Sequence, residues 1–264
     1  MPLRESCFRF LFVSLYFTDV TRSVRVVKRL LDLSGACFGL AISMPLWPFI
    51  ALAIYIESPG GVFIRQRRAG QLRTYDDSPT GEPERPRFRE FSMLKFRSMR
   101  PDAERLTGVV VASKNDPRVT RVGKILRKTR LDEIPQFLNV LLGDMSIVGP
   151  RPERLELAEQ LAMAIPYFEE RMRDVKPGIT GLAQINLSYT GKPYPDSHLA
   201  QMADDLTNPF KVEGTEGALA DDMRMKLLYD LAYSAATEEL RTFLPLELSI
   251  LLKTPLVMLR ALGT

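Results

Sequence analysis

The stretch that decides the fold is LSGACFGLAISMPLWPFIALAIYI, which runs from Leu33 to Ile56 and contains no charged residue. About 20 apolar residues are enough to cross a bilayer as a helix, so this run is long enough to enter a membrane. Pro45 and Pro48 lie near its middle, where proline removes a backbone donor and bends a helix. The run therefore predicts a membrane helix that is broken between Ser43 and Pro48.

Basic residues flank the apolar run on both sides, with one group between 22 and 29 and another between 65 and 73. Lysine and arginine favour the cytoplasmic side of a membrane, so a straight span would place one group on the opposite face. A bent segment that enters and leaves on one face suits both groups, and Ser43 is placed to bond a freed backbone group. A kinked helix that crosses the bilayer is the alternative, because the charge rule is statistical.

The composition indicates one globular domain and an anchor, since 45% of the 264 residues are hydrophobic and 26% are charged. The net charge is +4, and basic residues crowd the stretch from Arg22 to Arg130, which suits anionic headgroups or a phosphorylated substrate. The sequence contains no recognisable nucleic-acid module, so no nucleic-acid partner is expected. Cys7 and Cys37 lie in apolar surroundings and His198 in a polar loop, which argues against a disulfide framework, a metal cluster or a histidine-centred triad.

These patterns divide the chain into three parts: a peripheral segment (1–24), the apolar hairpin (25–60) and a soluble domain (61–264). The predicted fold class is α+β and helix-rich, with a helix–break–helix, a small β-hairpin and amphipathic interfacial helices. Strands are expected at Val62–Gln66 and Phe91–Met99, with an exposed loop at 71–89 and an insertion at 191–222 that acts as a mobile lid or a partner surface. The helix that follows Leu244 either lies at the membrane interface or packs in the core.

Asp132 and Glu133 lie where a second helix opens after the short basic helix of residues 123–129. An aspartate at a helix start accepts backbone N–H bonds and stays ionised, so capping alone could explain it. An aspartate can also attack phosphorus and form an acyl phosphate when cations or a metal neutralise the phosphate charge. Asp132 and Glu133 could hold Mg²⁺ together with substrate phosphates.

Several basic residues could supply that neutralisation, although a solvated basic surface would look the same in a sequence. The candidates are Lys95, Arg97, Arg118 and Arg151. Two prolines limit the backbone on either side of Arg151 in VGPRP (148–152), which favours a fixed phosphate fork. KPGITG (176–181) forms a second rigid turn, and Gln184 and Asn186 follow it on an expected strand. Either turn alone could be an ordinary chain reversal.

Together these motifs resemble one family. KFRSM, RLDEIPQFLNVLLGDMSIVGPRPE and KPGITGLAQIN follow a basic-flanked apolar segment in one order. In this they are similar to the bacterial monotopic phosphoglycosyl transferases, the sugar transferases that initiate polysaccharide assembly. The likeness covers residues 25–186, and residues 226–262 resemble the closing helices of the family. Several separated motifs in a fixed order are more specific than one pattern.

The resemblance implies transfer of sugar 1-phosphate from a UDP-sugar to polyprenyl (undecaprenyl) phosphate, with release of UMP, for exopolysaccharide, capsule or O-antigen assembly. It implies that Asp132 becomes a covalent phosphosugar adduct and that Glu133 assists with proton handling or metal coordination. Mg²⁺ would bridge the diphosphate and Asp132, while Lys95 and Arg151 bind phosphate. Candidates for the nucleotide or sugar pocket are Lys176, Thr180, Gln184 and Asn186. The implied location is the inner (cytoplasmic) membrane, with the catalytic domain in the cytoplasm, among inner-membrane lipid and downstream glycosyltransferases.

The chain departs from the family pattern at two places. The family bends its membrane helix at a Ser-Pro pair, whereas this chain has Met44-Pro45 with Ser43 one residue earlier. After Asn186 the chain reads Leu187-Ser188 where Gly-Arg is common, which weakens a sugar-binding assignment there. A catalytically inactive membrane scaffold of a polysaccharide assembly complex is the alternative function.

Overall fold

The computed structural model describes residues 20–73, 87–101, 103, 116–187 and 218–259. The fold is helix-rich with a small sheet, as expected for the α+β class. The helices are α1 (Arg22–Ser43), α2 (Trp47–Glu57), α3 (Arg121–Lys128), α4 (Gln136–Leu142), α5 (Leu155–Ala164), α6 (Leu182–Asn186), α7 (Ala218–Ala236) and α8 (Leu240–Leu259). The strands are β1 (Phe63–Arg73), β2 (Arg87–Phe96), β3 (Ser146–Val148) and β4 (Gly178–Thr180).

The apolar run forms two helices that are separated by a short 3-10 turn at Met44–Leu46. Pro45 lies in the first turn of that 3-10 helix, where its missing N–H is tolerated. The Ser43 hydroxyl donates a long hydrogen bond of 3.4 Å to the carbonyl of Leu40, in the last turn of α1. The apolar run is therefore helical on both sides of this 3-10 turn, and its re-entry on one membrane face stays a prediction.

Most of the surface around this break is apolar and exposed. Phe49 is 71% exposed and Ile56 72% exposed, and the other large apolar side chains in this region that lie open are Phe38, Ile42, Met44, Leu46, Leu52 and Tyr55. Arg22–Glu57 is the one segment among the described residues that is long and apolar enough to cross a membrane. So much exposed apolar surface is unfavourable in water, and it marks a membrane or protein interaction site.

Both arms of the broken helix pack on the same globular body. Gly35 and Gly39 of α1 face Ile147 and Phe137, and a Cβ at either glycine would overlap those side chains. In α2, Ile50 and Ile54 enter a cluster with Phe96 and Leu126. Close backbone approach thus fixes α1, and side-chain packing fixes α2, so the two ends of the apolar run lie against one domain.

A buried polar network joins α1 to the end of the chain. The Asp32 carboxylate accepts hydrogen bonds from Ser146 Oγ and from the backbone N–H of Ile147, at 2.8 and 2.9 Å. Lys28 donates to both Asp32 and Glu247, and the Tyr233 hydroxyl donates to Glu247 at 2.9 Å. Burial raises the pKa of Glu247 above its ordinary value, although the Lys28 ammonium opposes this. Breaking one partner of such a network leaves an uncompensated buried charge, so the network ties α1 firmly to α7 and α8.

The two strand pairs have different geometry. β1 and β2 form an antiparallel hairpin in which Ile64 lies opposite Lys95, with a register shift between Ala69 and Leu72. β3 and β4 pair in parallel through residues 146–148 and 178–180. The predicted loop at 71–89 overlaps both long strands, because β1 continues to Arg73 and β2 begins at Arg87; residues 74–86 lie outside the described residues.

Other boundaries also differ from the prediction. α1 begins at Arg22, three residues before the predicted hairpin, and the peripheral segment up to residue 19 lies outside the described residues. The predicted insertion at 191–222 does too as far as residue 217, and α7 begins inside it at Ala218. α8 buries Phe243, Glu247 and Ile250 and exposes Leu252 and Leu256, so it presents an apolar face outward as well as a core face.

Candidate active site

Asp132 and Glu133 lie in a tight turn between two short helices. Thr120 caps α3 by accepting a hydrogen bond from Gly123 N–H at 2.9 Å. After α3, Arg130 adopts a left-handed backbone with φ of 58°, and a 3-10 turn at Leu131–Glu133 follows. A bulky residue at positive φ is strained, and such strain is characteristic of functional sites. The strained turn directs both acidic side chains into the protein.

Asp132 does not cap a helix, so capping does not explain this residue, and the predicted start of the second helix at Asp132 is wrong. α4 begins only at Gln136, with Pro135 at its cap and no side-chain cap bond. The Asp132 side chain is instead buried, at 7% exposure, and its Oδ1 accepts no hydrogen bond from any residue that the structure describes. The prediction failed because the tight 3-10 turn moves the start of the helix four residues along. A buried carboxylate oxygen without a donor is costly, and it marks a place for a ligand.

Glu133 lies among three cations. Its Oε1 accepts a hydrogen bond from Lys95 Nζ at 2.8 Å and lies 3.6 Å from Arg151 Nη2. Its Oε2 lies 3.7 Å from Arg130 Nη1. The structure therefore brings together Lys95 from β2, Glu133 from the turn and Arg151 from the VGPRP segment, which are far apart in sequence.

The two neighbouring carboxylates have opposite electrostatic surroundings. Burial, followed by the charge of Glu133, raises the pKa of Asp132 to about 6, although Lys95, Arg127 and Arg130 oppose the change. Burial alone would also raise the pKa of Glu133, but the charges of Lys95, Arg151 and Arg130 outweigh it and hold that pKa well below its ordinary value. Environments that separate two carboxyl pKa values assign the groups different roles. Glu133 is fixed as an anion, and Asp132 is the more basic carboxylate.

An asparagine holds Lys95 in place from the side of α4. The Asn139 side chain accepts from the backbone N–H of Leu94 and donates to the carbonyl of Ser92, at 2.9 Å each. These two bonds hold the edge of β2 against α4, and Lys95 is the next residue along the strand. Its pKa lies below the ordinary value, mainly because of burial.

Glycines hold Arg151 in place from the other side. Gly149 N–H donates to Thr180 O at 2.9 Å, and Gly178 N–H donates to Pro150 O at 2.8 Å. A Cβ at Gly149, Gly178 or Gly181 would overlap the facing backbone. The VGPRP and KPGITG motifs are thus two halves of one close backbone contact, and they fix the segment that presents Arg151.

Arg171 also fixes the segment that presents Arg151. It donates to the carbonyl of Arg151 at 3.0 Å, and it forms a fully buried ion pair of 2.7 Å with Asp230 on α7. Burial raises the pKa of Asp230 to about 6, against the charge of Arg171.

Two of the predicted phosphate ligands have protein partners elsewhere. Arg97 donates to the carbonyl of Ser58, which ends α2, so its charge lies at a helix C-terminus. Arg118 forms a forked ion pair with Asp116, with its Nη2 2.6 Å from Oδ2. Neither side chain pairs with Asp132 or Glu133 among the described residues.

Three of the predicted nucleotide or sugar residues bond to described residues other than Asp132 and Glu133. The Thr180 hydroxyl bonds with Thr254 of α8 at 2.8 Å, and the Asn186 side chain donates to the Leu182 carbonyl at 2.8 Å. The Gln184 side chain donates to the carbonyl of Ile179 at 3.2 Å. Gln184 and Asn186 lie on α6 and not on the expected strand, because a five-residue apolar stretch does not distinguish the two structures. Lys176 lies beside Gly143.

Sequence analysis missed three arginines near the acidic pair. Arg127 bonds Ser98 Oγ at 2.8 Å, and its charge and that of Arg130 act on Asp132. Arg68 of β1 donates to Gln66 and Pro152; burial, followed by the charge of Arg151, lowers its pKa to about 10. Arg127 and Arg130 lie within five residues of Asp132, so their short distance along the sequence would have been enough to identify them as candidates. Which of Arg67 and Arg68 points inward depends on the strand register, which the sequence does not reveal.

The donors around Asp132 fit a magnesium ion only in part. The described residues contain no group of three His, Cys, Asp or Glu side chains that could cage a metal. Mg²⁺ usually needs only one or two carboxylates when substrate phosphates and waters supply the other ligands. The unpartnered Oδ1 of Asp132 meets that need, whereas the Glu133 oxygens already face three cations.

Comparisons with known proteins show the family of the chain. The sequence model of the bacterial sugar transferases matches residues 23–261. A putative undecaprenyl-phosphate N-acetylgalactosaminyl 1-phosphate transferase of Bacillus subtilis (strain 168) is 40% identical over 159 residues, which cover 60% of this chain and 80% of that protein. An exopolysaccharide production protein, PSS, of Rhizobium leguminosarum bv. phaseoli is 38% identical over 187 residues, which cover 69% and 84%.

A longer relative shares the same region. The UDP-glucose:undecaprenyl-phosphate glucose-1-phosphate transferase of Escherichia coli (strain K12) is 44% identical over 174 residues. That alignment covers 66% of this chain but only 34% of the E. coli protein. The chain therefore spans most of the short relatives and about a third of the long one.

Proposed function

The chain belongs to the bacterial sugar transferase family, and we propose that it moves sugar 1-phosphate from a UDP-sugar to polyprenyl (undecaprenyl) phosphate, releasing UMP. The names of its relatives support this substrate pair, and the name of the Rhizobium leguminosarum relative, an exopolysaccharide production protein, supports a place in exopolysaccharide or related glycan assembly. The observation that carries the proposal is the Asp132 oxygen, which is buried, has no donor and lies beside a cluster of cations.

In the first step an Asp132 carboxylate oxygen attacks the phosphorus that carries the sugar. A P–O bond to Asp132 forms, the P–O bond to the bridging diphosphate oxygen breaks, and UMP leaves with that electron pair. The product is an acyl phosphate on Asp132 that bears the sugar. A pKa of about 6 keeps most of this carboxylate ionised near neutral pH while leaving it more nucleophilic than an exposed aspartate.

In the second step a phosphate oxygen of the polyprenyl phosphate attacks the same phosphorus. The bond to Asp132 breaks, the carboxylate is regenerated, and the sugar leaves on a polyprenyl diphosphate. Burial of Asp132 helps to exclude water, which would otherwise hydrolyse the acyl phosphate. The two displacements use one carboxylate, so Asp132 suffices as the nucleophile.

The cations are proposed to neutralise charge on the transferred phosphate. Lys95, Arg130 and Arg151 surround Glu133, which lies next to the nucleophile. Their geometry is set before any substrate enters, which favours electrostatic stabilisation of the transition state. Glu133, with its low pKa, suits the part of an organiser for these cations better than that of a proton carrier.

Magnesium is proposed to bind through Asp132, with substrate phosphates as further ligands, and Glu133 is the second candidate carboxylate. When bound, the ion would neutralise diphosphate charge and favour departure of UMP. Arg97, Arg118, Lys176, Thr180, Gln184 and Asn186 remain predictions, because their observed partners lie away from Asp132.

The apolar hairpin is proposed to enter and leave the bilayer on one face, with Asp132 held near the cytoplasmic surface of the inner membrane. Both of its arms contact the same globular body, and basic residues flank both ends, which supports this arrangement. A straight span would require one of those two sets of contacts to break.

The proposal is tested with the full chain in detergent or in lipid nanodiscs, with undecaprenyl phosphate, Mg²⁺ and a panel of UDP-sugars. UMP release is expected from the wild type and not from Asp132→Asn, while Asp144→Asn, a nearby acidic residue without a proposed role, should retain turnover. A phosphosugar adduct trapped on the wild type should be absent from Asp132→Asn. Unchanged UMP release by a folded Asp132→Asn variant would refute the mechanism, and no release with any UDP-sugar would favour the inactive scaffold.

A further inference from the structure

A second charged cavity lies at the start of α1. Its volume is about 390 Å³, which is within the range of small-molecule sites. Basic side chains from two parts of the chain line it: Arg25, Lys28 and Arg29 from α1, and Lys176 from the KPGITG turn. None of these four side chains pairs with Asp132 or Glu133 among the described residues.

Lys176 lines this cavity with an ammonium group that could still accept a bonded anion. It is half-buried, and burial, followed by the charge of Arg29, lowers its pKa below the ordinary value. Within the part of the chain that the structure describes, no hydrogen bond or ion pair reaches its ammonium. Lys28, in contrast, is already shared between Asp32 and Glu247. The charges of Asp32 and Asp144 act on this ammonium without bonding to it, so a ligand anion could still form its first direct bond.

Arg29 and Lys176 converge beside Gly143. The Arg29 guanidinium is fixed because it donates to the carbonyls of Val140 and Leu141, at 2.7 and 2.9 Å. Gly143 has a positive φ of 88°, and a Cβ there would lie 3.5 Å from Lys176 Nζ and 3.8 Å from Arg29 Nη2. The Arg29 and Lys176 cations therefore lie near each other, and both side chains also line the cavity.

The remaining walls of the cavity suit a ligand that has both a charged and an apolar part. Val20, Val24, Val148 and Val175 contribute apolar surface. Asp32 is satisfied by its three donors, and Asp174 is the other carboxylate in the lining. Arg25 is exposed at the first turns of α1, next to the apolar hairpin, so a ligand could reach the cavity along the membrane surface.

We propose that this cavity is a binding site for a phosphate group, separate from the site at Asp132. Arg25, Arg29 and Lys176 are its cationic ligands. The phosphate could belong to an anionic lipid headgroup or to a soluble phosphate ester, which present the same charge and oxygen atoms to these side chains. The proposal does not depend on catalysis by Asp132.

Calorimetric titration of the full chain in neutral detergent tests this proposal with two probes, glycerol 3-phosphate and short-chain dioctanoyl phosphatidylglycerol. Every titration uses the Arg151→Gln background, so that phosphate binding beside Asp132 is weakened. Lys176→Gln and Arg25→Gln should each lower the affinity at least about tenfold, as expected for loss of a charge-assisted bond. Lys124→Gln, which removes an exposed lysine from α3, is the matched control and should bind as the background does.

Binding of the lipid alone supports a headgroup site, and equal binding of both probes supports a site for phosphate itself. The proposal is overturned if neither probe binds, or if folded Lys176→Gln and Arg25→Gln variants both keep the affinity of the background. It is also overturned if Lys124→Gln weakens binding as much as Lys176→Gln, because that result would indicate only general attraction to basic surface.

Discussion

The carboxylate of Glu57 accepts hydrogen bonds from the backbone N–H groups of Arg121 and Val122, each at 2.7 Å. Glu57 is the last residue of the apolar helix α2, and Arg121 is the first residue of α3. Helix α3 carries Arg127 and leads directly into the turn that holds Asp132. One side chain thus connects the end of the apolar hairpin to the segment that presents the candidate nucleophile.

Replacing Glu57 should therefore lower activity from a distance. Glu57→Ala leaves two N-terminal amides of α3 without their acceptor, and the loss of a helix cap typically costs about 0.5–2 kcal/mol. We expect a lower melting temperature and slower UMP release. Glu57→Gln keeps an acceptor oxygen, so its melting temperature and its rate of UMP release should lie between those of the wild type and Glu57→Ala. Glu159→Ala, on α5, is the control; equal effects at both positions would contradict a specific link.

Asp132→Asn should make the protein inactive without making it less stable. The folded-state pKa of about 6 lies above the ordinary 3.8, so ionised Asp132 opposes folding once the pH rises through that range. Removing the charge should therefore raise stability at pH 8, by about 1–3 kcal/mol at most. Thermal unfolding at pH 8 and pH 5 checks this, because the gain should shrink at the lower pH. A large loss of stability at pH 8 would instead indicate a structural role.

The rate of UMP release should fall as the pH drops through about 6. The attacking group is the ionised form of Asp132, so the rate should fall in proportion to the fraction of Asp132 that is protonated. Glu133 has a pKa well below this range, so it should not contribute to the fall. A pH–rate profile at saturating substrate measures the effect, and a rate that is flat from pH 5 to pH 8 would contradict it.

Lys95 and Glu133 should behave as a coupled pair. Lys95→Met leaves Glu133 with the more distant Arg130 and Arg151, at 3.7 and 3.6 Å, and so should destabilise the fold by about 1–3 kcal/mol. Adding Glu133→Gln should restore part of that stability without restoring turnover, since the phosphate-binding charge remains absent. Denaturant unfolding of both single variants and the double variant gives the coupling energy. Strictly additive changes would mean that the contact carries no net energy.

Gly149→Ala should reduce activity through Arg151. Its Cβ would overlap the carbonyl of Lys176, which would separate the VGPRP and KPGITG segments. We expect a loss of at least about tenfold in UMP release, because small misplacements of charged ligands are costly in catalysis. Gly61→Ala is the matched control, since its Cβ would lie at an ordinary 3.7 Å from the Phe63 carbonyl. Equal losses of activity in both variants would contradict an effect that acts through Arg151.

Sequence patterns predicted the parts of the fold that depend on local chemistry. The interruption at Met44-Pro45 and the basic helix before Asp132 both follow from proline and hydrophobic spacing, and the structure has a 3-10 turn and a short helix at these two places. The structure also joins Lys95, Glu133 and Arg151, which the motifs had suggested together.

The other features of the fold and of the candidate site depend on long-range contacts that no local sequence pattern contains. A helix was predicted to open at Asp132, with capping as an alternative role, because the left-handed Arg130 and the 3-10 turn after it were not foreseen. Arg97 looked like a phosphate ligand, but its position after β2 brings it to the carbonyl of Ser58. The network of Lys28, Asp32, Glu247 and Tyr233 joins helices from both ends of the chain, and sequence spacing gives no sign of it.

The packing of α1 also bears on how the chain is made. Arg29 bonds Val140, which lies 111 residues later in the chain, and Gly35 and Gly39 pack on side chains from the same later region. During synthesis the apolar hairpin leaves the ribosome well before these partners exist, so lipid or a chaperone must shield it first. Pro45 can set the bend of the hairpin at that early stage, whereas the packing of the hairpin against the domain comes later. Maturation of this enzyme is therefore expected to require that lipid or a chaperone covers the apolar run before the rest of the domain is complete.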